Sequence, residues 1–171
     1  MSRGNEDSPM TEAVQVNDGA TPSLVLGLGC ERGTAAAEVI GLAEEALRAA
    51  GRDYRLALIV SLDTRAEEPA MFAAARHFEV PFRTFDAATL EAETPRLANP
   101  SDVVFRHTGC HGVAEAAALA AAGAGARLVV PKMRSVRATA AIAAPFQFDA
   151  KVSSENESVF SVADPVVVRA G

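Results

Sequence analysis

Short apolar runs alternate with helix-like segments along the middle of the chain. Two of these runs, at residues 23–28 and 56–62, have the continuous hydrophobicity of strands that are buried on both faces, and residues 81–85 and 103–106 are predicted to form the third and fourth strands. Two further strands are predicted at residues 128–130 and 138–143, joined as a hairpin through residues 132–137. Short strands separated by helices are typical of a sheet that is covered on both sides.

Helices are predicted between these strands, where apolar residues recur with helical spacing. Thr34 is the expected N-cap of a helix over residues 34–50, which Gly51 ends. A second helix starts at Pro69, and a third covers residues 113–122. The expected fold class is α/β, with three α/β/α layers around a mostly parallel sheet of about five strands. An antiparallel strand pair is expected near the C-terminus.

Polar segments flank the predicted core. Residues 1–21 are expected to form a disordered arm, residues 22–148 the folded domain and residues 149–171 a polar tail. The net charge of −6 argues against nucleic acid as a partner, because phosphate binding needs a basic surface. No apolar run approaches the roughly 20 residues of a membrane span. Two cysteines, both expected to be reduced, indicate a cytoplasmic protein.

Parallel strands place their carboxyl ends at one edge of the sheet, where ligands bind in α/β proteins. The first segment expected there is the glycine-rich turn from Gly27 to Thr34. Its glycines would let a ligand approach the backbone, and the helix start offers free N–H groups to an anion. Gly33 stands one position too late for a dinucleotide fingerprint, which argues against a dinucleotide as the ligand. A tight turn without a ligand stays open as the alternative.

Residues 61–69 place three carboxylates and one guanidinium at a strand end and a helix start. Asp63 directly follows a buried strand, so it is a candidate functional carboxylate, with a structural cap as the alternative. Glu67 and Glu68 fit the first turn of a helix, where the helix dipole favours negative charge.

Residues 107–115 contain His107, Cys110 and His111, but three ligands this close together on a turn would be strained, so no metal is expected. Glu115 is the polar side chain of an otherwise apolar helix and is expected to be buried. A buried carboxylate must pair, become protonated or meet a ligand, and Arg32 or Lys132 is its expected structural partner.

A local basic cluster at residues 132–137 is either a solvated turn or a rim that receives carboxylates.

Together these segments resemble the cobalamin biosynthesis family that comprises CobE and the C-terminal domain of CbiG. The resemblance covers about residues 23–144, and it is carried by residues 27–34, 61–63, 68–69, 113–119, 132 and 138–140. Glu31 and Arg65 depart from the family pattern, in which a basic residue and a lysine are common at these positions.

The resemblance implies a cobalamin biosynthesis protein that binds a corrin-ring intermediate. The alternatives are a hydrolase that opens the ring-A lactone of cobalt-precorrin-5A with release of acetaldehyde, and a purely structural subunit of the pathway. The short arm before the first strand favours the stand-alone form of the family.

The hydrolase would use Asp63 or Glu115 as its base, and Cys30 is a weaker candidate nucleophile. The expected substrate-binding residues are Gly27, Gly29, Cys30, Arg32, Gly33, Thr34, Glu68, Gly112, Val113 and Lys132. No cofactor is expected. A homodimer and contacts with other cobalamin-pathway enzymes stay open.

Overall fold

The computed structural model describes residues 21–145, which form one five-stranded sheet with helices on both sides. The strands are β1 (Ser23–Cys30), β2 (Arg55–Leu62), β3 (Phe82–Phe85), β4 (Arg127–Arg134) and β5 (Ala138–Ala144). The helices are α1 (Ala36–Ala50), α2 (Pro69–Phe78), α3 (Ala87–Glu91), α4 (Asp102–Thr108) and α5 (Ala114–Ala122). The predicted arm (apart from residue 21) and the predicted tail lie outside the described residues.

The strand order in the sheet is β3-β2-β1-β5-β4. The β1–β2 and β2–β3 pairs are parallel, whereas β5 is antiparallel to both of its neighbours, β1 and β4. Therefore β5 alone among the five described strands runs against the others. This topology confirms the mostly parallel sheet and the antiparallel pair that the sequence predicts.

Two apolar layers cover the sheet. On one side α1 and α2 bury side chains such as Leu28, Met71 and Ile142, and on the other side α5 packs against Val60 and Leu62. The alanines of α5 allow a very close approach to β1. A Cβ atom built on Gly27 would lie 2.0 Å from the carbonyl oxygen of Ala114, so only glycine fits under this helix.

The predicted strand at residues 103–106 is wrong, because this segment lies within α4. The Ser101 hydroxyl accepts a hydrogen bond from the Val104 N–H at 3.2 Å and caps the helix start. Gly109 ends the helix with a φ of +85°, a conformation that suits glycine. These two caps outweigh the strand preference of two consecutive valines and a phenylalanine.

Two boundaries also differ from prediction. Helix α1 begins at Ala36 with Ala35 as its N-cap, and the Thr34 hydroxyl instead donates to the carbonyl oxygen of Glu31 at 2.6 Å. Strand β4 continues to Arg134, so Lys132 lies in the strand and not in the hairpin connection.

Among residues 21–145, no helix combines the length and apolar character needed to cross a bilayer.

Candidate functional site

A cleft of about 700 Å³ opens at the sheet edge where β1 ends. It is lined by α4, by the β4–β5 hairpin, by the last residues of β1 and by the loop that precedes α5. Its volume lies within the usual range for small-molecule sites. The cleft is therefore the candidate functional site.

Half of the residues that the sequence assigns to substrate binding line this cleft. They are Gly29, Cys30, Gly112, Val113 and Lys132. Gly27 lies under α5, and Glu68 and Thr34 are buried, whereas Arg32 and Gly33 are exposed outside the cleft lining. The middle of the glycine-rich segment, residues 29–31, thus lines the cleft, and its last residues form a turn beside it.

The turn that follows β1 already holds a carboxylate of the protein. The Gly33 N–H donates to Glu68 Oε2 at 3.0 Å, and Glu68 is only 7% exposed. The position at which the sequence predicts an external anion is therefore taken by this side chain.

Cys30 is half-buried at the border between this turn and the cleft. Burial raises the pKa of its thiol, and the negative charge of Glu68 raises it further, against the opposing effects of Arg65 and Thr34. Because the thiolate is the nucleophilic form, this environment disfavours Cys30 as a nucleophile.

We expect the pH profile of Cys30 alkylation to report the charge of Glu68. In the wild type, the rate of reaction with iodoacetamide should rise at a higher pH than for an ordinary thiol. Glu68→Gln should move this profile to lower pH because it removes the charge that raises the pKa of the thiol. Mass spectrometry of the Cys30 peptide measures the rate. The matched variant Glu67→Gln, at an exposed neighbour, should leave the profile in place, and an unchanged profile in Glu68→Gln would contradict the assignment.

Glu115 is 2% exposed and links α5 to the loop that carries Asn99 and to strand β4. Its Oε1 accepts from the Asn99 backbone N–H at 2.9 Å, and its Oε2 accepts from Asn99 Nδ2 and from the Lys132 backbone N–H, each at 2.9 Å. Burial raises the pKa of this carboxyl, but the hydrogen bonds from Asn99 and Lys132 together bring the pKa below its ordinary value. The expected partner Lys132 is present, but through its backbone and not its ammonium group.

The two candidate bases differ in environment, and neither lines the cleft. Both oxygens of Glu115 are engaged by N–H donors, which favours a positioning role over that of a base. Asp63 lies in a 3₁₀ turn (Asp63–Arg65) with an exposed side chain, so it lacks the burial on which its role as a base depends. His111 pairs with Glu91 at 2.9 Å and with Asp102 at 3.4 Å, and within residues 21–145 no group of three or more His, Cys, Asp or Glu side chains is arranged to hold a metal ion.

Helix α4 supplies the part of the cleft that the sequence prediction missed. Val103, Val104, His107 and Thr108 all line it. With residues 103–106 predicted as a buried strand, the side chains of this segment were not expected to line a site. The capping residues Ser101 and Gly109 are the signal in the sequence that could have placed a helix here.

The fold is that of a three-layer α/β domain, and its candidate functional site is a cleft at the carboxyl edge of the sheet. Residues 24–143 match the protein-family model described as "Cobalamin synthesis G C-terminus", and the chain belongs to this family. It is 63% identical over 127 residues to protein CobE of Sinorhizobium sp., a match that covers 74% of this chain and 82% of that protein.

Two further comparisons extend this result. A crystal structure of CobE, described as a protein of the cobalamin (vitamin B12) biosynthetic pathway, matches with a TM-score of 0.66 and 39% identity, over 72% of this chain and 90% of that one. A cobalt-precorrin-5A hydrolase of Priestia megaterium is 29% identical over 110 residues, which cover 64% of this chain and 29% of the hydrolase. These matches confirm the resemblance on which the sequence analysis relied and identify a protein of cobalamin biosynthesis.

Proposed function

We propose that this protein binds a corrin-ring intermediate in the cleft between α4 and the β4–β5 hairpin. The observation that carries the proposal is the combination, in one cleft, of apolar side chains with two cations, Lys132 and Arg134, whose side chains have no partner among residues 21–145. Corrin precursors carry acetate and propionate carboxylates around an apolar macrocycle. Such a ligand needs both kinds of contact.

The apolar contacts to the ligand would come from valine side chains of the cleft that are exposed to water in the free protein. Val103 on α4 is 54% exposed and Val136 at the hairpin tip is 89% exposed, and both line the cleft. Val104 and Val113 add further apolar surface. Exposed apolar side chains grouped around a cleft are typical of ligand-binding surfaces.

Titration with late precorrins and their cobalt forms tests this proposal. We expect saturable binding with a shift of the visible absorption band of at least one pigment. Val136→Asp should weaken this binding, because it places a negative charge in the cleft without disturbing the core. The control Ala88→Asp adds the same charge at an exposed position of α3 outside the cleft and should bind like the wild type. Absence of a shift with every pigment would contradict the proposal and favour a purely structural subunit.

A hydrolase that opens the ring-A lactone is the second candidate, favoured by the similarity to cobalt-precorrin-5A hydrolase. Glu31 is the carboxylate that lines the described cleft, and it pairs with Arg137 at 3.1 Å. His107 also lines the cleft, so Glu31 and His107 are better placed than Asp63 or Glu115 to activate water. Release of acetaldehyde from cobalt-precorrin-5A would support the hydrolase. Pigment binding without acetaldehyde or a mass change would exclude this reaction.

A further inference from the structure

Four strongly basic side chains line the cleft, and they differ in how the protein already engages them. Arg65 Nε donates to the carbonyl oxygen of Cys30 at 2.6 Å, and Arg137 Nε donates to Glu31 Oε1 at 3.1 Å. The side chains of Lys132 and Arg134 have no hydrogen-bond or ion-pair partner within residues 21–145. These two cations are therefore the ones available to a ligand.

Lys132 and Arg134 lie on the same face of β4. Both line the cleft, whereas Met133 between them packs against the core formed with α1 and α2. Residues two apart on one face of a strand are separated by roughly 7 Å along the strand. The cleft thus presents two neighbouring positive charges along one edge.

An irregularity in β4 sets the direction of Lys132. In the β4–β5 ladder, Val130 faces Ile142 and Met133 faces Ala140, so three steps along β4 oppose two along β5. The extra residue is a β-bulge, a feature that redirects side chains near binding sites. The Lys132 N–H donates to Glu115 Oε2 at 2.9 Å, which fixes this end of the segment.

A second carboxylate fixes the other end. Glu38 of α1 accepts hydrogen bonds through Oε2 from the Ser135 hydroxyl and from the Arg137 backbone N–H, the latter at 2.7 Å. The backbone that carries Lys132 and Arg134 is therefore held at both ends by helix carboxylates. Holding a binding segment in place before the ligand arrives lowers the entropy lost on binding.

We infer that Lys132 and Arg134 form a two-point receptor for two ionised carboxylates on one edge of the ligand. The inference rests on the proposed function and narrows its substrate class to macrocycles whose neighbouring acetate or propionate groups are free acids. Arg65 and Arg137 are already bonded to Cys30 and Glu31 of the protein, so they contribute much less to ligand affinity.

The test uses a water-soluble porphyrin with free acetate and propionate groups, and the same porphyrin with these groups converted to primary amides. Fluorescence titration should show that Lys132→Gln and Arg134→Gln each weaken binding of the acid about tenfold, because each removes a charge-assisted contact. The matched control Arg48→Gln removes a positive charge at an exposed position of α1 outside the cleft, so it should change affinity less than about threefold. The amide should bind the wild type weakly and all variants alike.

Several outcomes would overturn the inference. They are equal affinity of the wild type and the Lys132→Gln/Arg134→Gln double variant, equal affinity for acid and amide, and no binding of the acid by the wild type. Unchanged melting temperatures would show that the variants remain folded, as expected for side chains outside the core. A pathway pigment that binds the wild type and the double variant equally would leave the proposed function standing and remove only the two-point receptor.

Discussion

Replacing Gly27 by alanine is expected to destabilise the folded protein by at least about 3 kcal/mol, at the upper end for overpacked sites. The new Cβ would lie 2.0 Å from the Ala114 carbonyl oxygen, and real Cβ contacts essentially never fall below 3.0 Å. The start of α5 would have to move away from β1 by about 1 Å, which opens the layer that buries Val60 and Leu62. Urea unfolding followed by circular dichroism measures the loss.

Gly41→Ala is the matched control for this substitution. Gly41 lies within α1, and a Cβ built there meets nothing within 4 Å. Alanine is the better helix former by roughly 0.5–1 kcal/mol, so this variant should be slightly more stable than the wild type. A Gly27→Ala variant as stable as Gly41→Ala would show that α5 does not pack this closely on β1.

The second large effect is expected at Glu115. Glu115→Gln keeps the shape of the side chain but replaces one acceptor oxygen by an amide, so at least one of the N–H groups of Asn99 and Lys132 loses its partner. Leaving buried donors unsatisfied should lower the free energy of unfolding by about 2–3 kcal/mol at neutral pH. Glu45→Gln, at an exposed position on α1, should change it by less than about 0.5 kcal/mol.

The effect of Glu115 should depend on pH. Folding lowers the pKa of this carboxyl, so the folded protein binds fewer protons here than the unfolded chain. The stabilisation is complete above the ordinary carboxyl pKa and disappears as the pH falls through the lower pKa of the folded state. Urea unfolding at about pH 7 and about pH 3.5 should therefore show a smaller difference between wild type and Glu115→Gln in acid. A difference that grows in acid would contradict the assigned hydrogen bonds.

The first two strands of the sheet could be predicted from the sequence because most of their residues on both faces are buried or half-buried. Strands β1 and β2 are continuous apolar runs, and such runs carry their own signal. The segment at residues 103–106 is also mostly apolar, but none of its side chains is buried. Hydrophobicity alone predicted a strand there. It does not reveal the hydrogen bond from the Val104 N–H to the Ser101 hydroxyl, which caps α4.

The site could be predicted in part for the same reason. The cleft residues Gly29, Cys30 and Val113 lie at strand and helix ends, and these ends follow from the element pattern. The burial of Glu115 was also predictable from its apolar helix. Lys132 was an expected partner, but the use of its backbone N–H and the role of Asn99 were not predictable, because a loop and a bulge that leave no periodic trace in the sequence bring these groups to Glu115.

Glu68 closes the turn before α1 to added anions. Nucleotides bind to glycine-rich turns of many α/β proteins through their phosphates, but here a phosphate approaching Gly33 would meet a carboxylate that already holds the N–H. Elsewhere at this edge, Lys132 and Arg134 line the cleft, and no carboxylate within residues 21–145 engages their side chains. The same sheet edge should therefore exclude anions at the turn and attract them at the cleft, although the chain as a whole is acidic.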